Sequence, residues 1–112
     1  WRMIWEHECC VIAVLTRLTE KKKVKCAQYW SETDNKSSKY GEITVKLRET
    51  SSCGDYVRRQ FELTKNNMTR EVVQFQFIAW PDHGIPVTTS SLFRFHKAVV
   101  FSQPHTAGPI VV

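Results

Sequence analysis

The stretch Val73-Gln74-Phe75-Gln76-Phe77-Ile78-Ala79-Trp80-Pro81-Asp82-His83-Gly84-Ile85-Pro86 decides the fold. Val73, Phe75 and Phe77 alternate with Gln74 and Gln76, the period-two pattern of a strand with one buried face. Pro81 fixes its own φ and has no N–H to give a ladder, so the strand stops near it. Gly84 can take backbone angles closed to other residues, and a second proline, Pro86, closes the turn. Asp82 stands at the bend. Two readings are open for it: a solvated turn residue, or a general acid on a loop that can pivot between stiff ends.

Working back from this strand, Lys65-Asn66-Asn67-Met68 reads as a hairpin turn, because asparagine tolerates positive φ. Val57, Arg59, Phe61 and Leu63 form the partner strand, its pattern broken only by Arg59. Ile43, Val45 and Leu47 alternate with polar residues as a half-buried strand, so the middle third is an antiparallel meander. Ser31 to Gly41 and Thr16 to Lys25 are polar and read as loops. Cys9 to Leu15 is a continuous apolar run suited to a central strand buried on both faces. Trp1, Ile4 and Trp5 recur at helical spacing, with Glu6 and Glu8 on the other side.

Downstream, Thr88, Thr89 and Ser90 offer N-caps for a helix whose Leu92, Phe95, His96 and Val99 share a face. Pro104 closes the helical region, and His96 reads as a helix-edge side chain rather than a ligand. Ile110 to Val112 begins a buried strand. Strand, helix and strand in this order predict an α/β (α+β) fold: a mixed twisted sheet flanked by helices.

A chain of 112 residues is one domain at most, long enough for a modest core, and 42% hydrophobic with 24% charged residues is ordinary for a globular protein. No apolar run reaches the roughly 18 residues of a membrane span, and no signal-peptide pattern opens the chain. The net charge of +5 is concentrated at Arg17, Lys21, Lys22, Lys23 and Lys25, with Lys36 and Lys39 nearby. Without interleaved exposed aromatics or a recognition motif, this reads as a solvated face rather than a nucleic-acid site. Cys9, Cys10, Cys26 and Cys53 show no metal-ligand spacing, and the histidines are scattered, so free thiols and no metal or other cofactor are expected.

Cys53-Gly54-Asp55-Tyr56-Val57-Arg58-Arg59 satisfies Cys-x5-Arg, the spacing of a phosphate-binding nucleophile loop. That chemistry needs backbone N–H groups cradling phosphate at a helix N-terminus, which also lowers the thiol pKa. Here Tyr56 and Val57 are bulky, and a strand pattern follows Arg59. The match is rejected as a coincidence of spacing.

Trp80-Pro81-Asp82-His83-Gly84-Ile85-Pro86, preceded by Gln74-Phe75-Gln76-Phe77, resembles the acid loop of the cysteine-dependent protein tyrosine phosphatases. Trp1-Arg2-Met3-Ile4-Trp5-Glu6 with Val11 to Thr16, then Lys25-Cys26-Ala27-Gln28-Tyr29-Trp30, and finally Gly108-Pro109-Ile110-Val111-Val112 resemble further blocks of that family, in the family's order. Ser31 departs from the pattern, which usually has proline there; only the local turn is affected. The resemblance covers the whole chain and implies that it corresponds to less than half of such a catalytic domain, with both ends expected to fall inside it.

The resemblance implies hydrolysis of phosphotyrosine in proteins, without metal, through a phosphocysteine. Asp82 would protonate the departing phenolate and then, as a base, activate water. A reference aspartate has a pKa of about 3.9, so the site must favour the neutral form or work at mildly acidic pH. Trp80, Pro81 and Gly84 would shape the loop, His83 would flank the substrate, and Lys25 would lie near the phosphate pocket. Glu20 would support the pocket by holding the phosphate-binding arginine. The His-Cys-x5-Arg loop is expected directly after Val112, and the segment gripping the phosphotyrosine ring before Trp1, so the isolated chain is expected to be inactive. The implied partners are tyrosine-phosphorylated proteins and the implied setting is cytoplasmic, with a membrane link only for a receptor-like parent. A catalytically inactive phosphatase-like domain that binds phosphopeptides or partner proteins is the alternative; the presence of Asp82 argues against it.

Overall fold

The computed structural model describes residues 1–15, 28–31, 37–79, 90–104 and 107–112, with the backbone alone at 19–20, 23–24 and 89. Its elements are α1 (Arg2–Glu6), β1 (Val11–Val14), β2 (Thr19–Glu20), β3 (Lys23–Val24), β4 (Ser37–Tyr40), β5 (Ile43–Ser52), β6 (Tyr56–Lys65), β7 (Met68–Phe77) and α2 (Thr89–Phe101). The main sheet runs β1-β7-β6-β5-β4. Its meander is antiparallel, while β1 pairs parallel to β7 with Ile12 opposite Gln74 and Val14 opposite Gln76. Val111 adds a parallel bridge to Ile12 on the free side of β1. This is the mixed sheet flanked by helices that the sequence predicts.

Local chemistry sets the long hairpin. Asn66 and Asn67 both take positive φ, 51° and 65°, and join β6 to β7 in the two-residue turn whose twist matches the strands. β5 carries a register shift between Leu47 and Glu49 before it reaches the Cys53–Asp55 turn. β1 is buried along its whole length, as its apolar run demands.

The two helices cover opposite faces of the sheet. On the α1 side, Ile4 and Trp5 pack with Ile12, Val45, Leu47 and Phe61. Arg70 from β7 donates to the Trp5 carbonyl at 2.7 Å and lies 4.1 Å over its ring, fastening α1 to the sheet. On the α2 side, Phe95 and Val99 meet Phe75, Phe77, Val11 and Ala13. The C-terminal stretch is locked to the N-terminal one: Gly108 N–H donates to the Glu8 carbonyl at 2.9 Å. A Cβ at Gly108 would lie 1.8 Å from the His7 carbonyl oxygen, so only glycine permits this approach.

Several expectations are corrected. β7 has two buried faces, not one: Gln74 and Gln76 are buried alongside Phe75 and Phe77. They are satisfied by Arg59, which donates to their carbonyl oxygens at 2.9 and 2.8 Å. Thr16–Lys25 is not all loop, since β2 and β3 form a two-stranded ribbon. Ser31–Gly41 contains β4, a short polar edge strand held by β5. The packed face of α2 runs through Ser91, Phe95 and Val99, while Leu92 and His96 are exposed. The helix begins at Thr89, leaving Thr88 outside the described residues. Ile110–Val112 contributes a single bridge rather than a buried strand, with Val112 exposed.

Candidate active site

The parallel part of the sheet defines one edge. β1, β7 and the bridge at Val111 run in the same direction, so β1 and β7 end on the same side, at Val14 and Phe77. In open sheets with parallel strands, binding and chemistry gather outside these carboxyl ends, because loops leave the framework there. The turnover from buried to exposed is abrupt. Val14 and Phe77 are buried, whereas Leu15 and Ile78, one residue on from each, are exposed. Beside this edge an open apolar recess of about 490 Å³ is lined by Ile12, Val14, Leu15, Tyr29, Val111 and Val112 among others, and among the described residues no carboxylate, thiol or imidazole side chain stands on its walls.

The segment after Lys25 is fixed at its far end. Tyr29 lies over the sheet, where its hydroxyl accepts from Gln74 Nε2 at 3.0 Å and its carbonyl accepts from Trp1 Nε1 at 2.9 Å. Trp30 is buried, and the Arg59 guanidinium lies 4.9 Å over its ring. A buried cation is costly unless surrounded by acceptors. Arg59 meets that condition with two amide oxygens and an aromatic face.

The predicted site residues stand as follows. Glu20 lies in β2, opposite Lys23 of β3. Lys25, Trp80, Pro81, Asp82, His83 and Gly84 lie outside the described residues. The elements on either side of the Asp82 segment are described: β7 ends at Phe77, and α2 begins at Thr89. Phe95 of α2 packs edge-on against Phe77 at 5.4 Å and Tyr56 at 5.9 Å, so helix and strand are braced by one aromatic cluster.

The rejected Cys-x5-Arg spacing is resolved by position. Cys53 is exposed at a turn, Tyr56 opens a strand rather than a helix, and the Arg59 side chain is inside the core on Gln74 and Gln76. Cys9 is buried, and burial pushes its thiol up from the ordinary value, away from the thiolate a nucleophile needs. Among the described residues no three His, Cys, Asp or Glu side chains gather as metal ligands would. Among them, too, no helix is long and apolar enough to cross a membrane.

Sequence reasoning missed Asp55 and Arg94. Asp55 accepts from Ile78 and Ala79 N–H through its carbonyl, and from Ser91 and Arg94 through its carboxylate. A Gly-Asp pair between two strand patterns signals a turn but not its distant partners.

A mixed sheet with helices on both faces and its parallel strand ends on one edge defines an α/β (α+β) domain. The family model described as protein-tyrosine phosphatase matches residues 1–112, and the chain belongs to that family. It is 46% identical over 112 residues to tyrosine-protein phosphatase 16 of Styela plicata, covering all of both sequences. It is 43% identical over 115 residues to tyrosine-protein phosphatase 27 of the same organism, again covering all of both. It is 42% identical over 114 residues to receptor-type tyrosine-protein phosphatase F of Rattus norvegicus, where the whole chain spans 6% of the relative's length.

Proposed function

We propose that the chain is the part of a tyrosine phosphatase catalytic domain that supplies the general acid and base, Asp82, to a cysteine nucleophile outside these residues. The observation that carries this reading is the shared carboxyl edge of β1, β7 and Val111. The Asp82 segment follows β7 directly, and a strand running through Val111 would deliver whatever follows Val112 to the same edge. The reaction is hydrolysis of phosphotyrosine in proteins. A thiolate attacks phosphorus, the P–O bond to tyrosine breaks, and Asp82 gives its proton to the departing phenolate oxygen. Asp82, now a carboxylate, takes a proton from the water that attacks phosphocysteine, releasing phosphate and the thiolate. Lys25 and His83 serve substrate binding, Trp80, Pro81 and Gly84 shape the acid loop, and Glu20 supports the phosphate pocket. The substrates are cytoplasmic tyrosine-phosphorylated proteins, and no metal takes part.

In the full-length protein that contains this chain, Asp82→Asn lowers kcat by about 10²–10⁴-fold, the usual contribution of one acid–base group, with little change in substrate affinity. An unchanged kcat would remove Asp82 from this role. Absence of turnover in the wild-type full-length protein would leave a binding domain instead. The isolated 112-residue chain is expected to release no phosphate from a tyrosine phosphopeptide. Metal-independent turnover by it would place a nucleophile inside the chain and overturn the assignment.

A further inference from the structure

Residues 80–88 are flanked by β7 before and α2 after, and Asp55 touches both flanks. It stands in the β5–β6 turn, where Gly54 takes φ +82° and Asp55 N–H donates to the Cys53 carbonyl at 3.1 Å. Its carbonyl accepts from Ile78 N–H at 2.9 Å and from Ala79 N–H at 3.1 Å. These are the last described backbone donors before Asp82, and they lie beyond the end of the β7 ladder. Its carboxylate faces the other way. One oxygen accepts from Ser91 Oγ at 3.3 Å, and the other accepts from Arg94 Nε at 2.8 Å and from Arg94 Nη2. Ser91 and Arg94 belong to the first turns of α2.

The turn itself is held in place. Cys53 N–H donates to the Tyr56 carbonyl at 2.9 Å. The Tyr56 ring then packs between Phe75 of β7 and Phe95 of α2, at 5.7 and 5.9 Å. Backbone, carboxylate and the neighbouring ring of one turn thus all bridge the same two elements. The energetic worth of the ion pair is small, because Arg94 is 58% exposed and Asp55 23%. Its consequence is geometric. A general acid must come within hydrogen-bond reach of a leaving oxygen, and a misplacement of about 1 Å in a supporting element can cost about 10²-fold in rate.

We propose that Asp55 is a positioning residue for Asp82: it clasps the two stems between which the acid-bearing segment is strung, β7 through its carbonyl and α2 through its carboxylate. The inference rests on the reading of Asp82 as the acid, and its test separates the two. Asp55→Asn keeps the size and the backbone carbonyl but removes the charge that orients Arg94 and holds the turn against α2, and Arg94→Gln removes the other partner. In the full-length protein, either variant lowers kcat/KM, which reports only the steps up to P–O cleavage, by about tenfold for phenyl phosphate, a poor leaving group that needs the proton. For 4-nitrophenyl phosphate, which leaves without help, kcat/KM falls by less than about twofold. Amide hydrogen exchange at Ile78, Ala79 and the start of α2 quickens by about two- to fivefold, in keeping with a partly exposed ion pair, while exchange across the β6–β7 ladder stays put, showing the fold intact. Equal losses on both substrates, or unchanged exchange at Ile78 and Ala79, would overturn the clasp. If Asp82→Asn in the same background failed to discriminate between the two leaving groups, the acid assignment would fall. Hydrogen exchange alone would then decide whether Asp55 joins the stems.

Discussion

The two faces of the sheet are built on different physics, and β7 supplies both. Toward α2 it offers Phe75 and Phe77, which with Tyr56 and Phe95 form a run of edge-to-face rings. Toward α1 it offers Val72, Gln74 and Gln76, and the two glutamines hold the buried Arg59 beneath Trp30 and beside Tyr29. Ring packing draws most of its strength from buried area, with only a modest added preference for edge-to-face geometry. A buried guanidinium is directional and nearly all-or-none: satisfied it specifies one arrangement, and part-satisfied it costs more than an apolar core. The aromatic face anchors α2, while the α1 face surrounds its buried guanidinium with the larger apolar set, Val45, Leu47, Phe61 and Leu63 among it. The polar face registers Gln28–Trp30, the end of the segment that carries Lys25, against the strands.

The comparison breaks most easily on the aromatic side. Phe75→Ala empties a fully enclosed site and is expected to cost about 4 kcal/mol, while Phe75→Leu costs about 1–1.5 kcal/mol because the neighbours can close part of the gap. Urea denaturation of the 112-residue chain checks both, and equal costs would deny that volume governs this face. On the polar side Arg59→Met is expected to cost about 3 kcal/mol, since two buried amide oxygens lose a charged donor. Replacing Gln74 and Gln76 with leucine in that background should recover most of the loss, because removing all members of a buried polar set is far cheaper than removing one. A triple variant no more stable than the single one would show that Arg59 holds the face by packing rather than by hydrogen bonds.

Reading these faces from sequence succeeds for one and fails for the other. Phe75 and Phe77 at period two, the Asn66-Asn67 turn and the apolar run of β1 are local signals, and the structure has each where the pattern put it. Gln74 and Gln76 look solvent-facing because polarity is the only exposure cue a sequence carries. Their burial depends on Arg59, fifteen and seventeen residues away, and no local pattern encodes such a partner. β4 is missed for a related reason: a polar edge strand is made by its neighbour β5, not by its own propensity. The α2 face is rotated from the predicted one because Ser91, small and bonded to Asp55, packs where Leu92 was expected. The strand ends at the carboxyl edge follow from the apolar runs, but the clasp across them joins residues 55, 78, 79 and 94, which share nothing in sequence but their individual turn or helix signals.

The smallest effect separates the faces by pH. Tyr56 is the titrating member of the aromatic cluster. Burial pushes its phenol above the ordinary 10.0, and the neighbouring Cys53 thiol adds to the shift by charge and hydrogen bonding. The folded state thus resists losing the phenolic proton that the unfolded chain gives up near 10.0. Stability from this group is fully present below the unfolded value and is lost as pH rises through the folded one. Tyr56→Phe keeps the ring and its packing but abolishes that titration. At neutral pH the variant should match the wild type to within about 1 kcal/mol, the net worth of one hydroxyl hydrogen bond. Above pH 10 it should become relatively more stable, the difference growing through the alkaline range. Parallel denaturation curves at neutral and alkaline pH measure this directly. A constant offset between the two proteins would mean that the phenol titrates alike in the folded and unfolded chains, and that the ring's edge is wetter than the aromatic face as a whole.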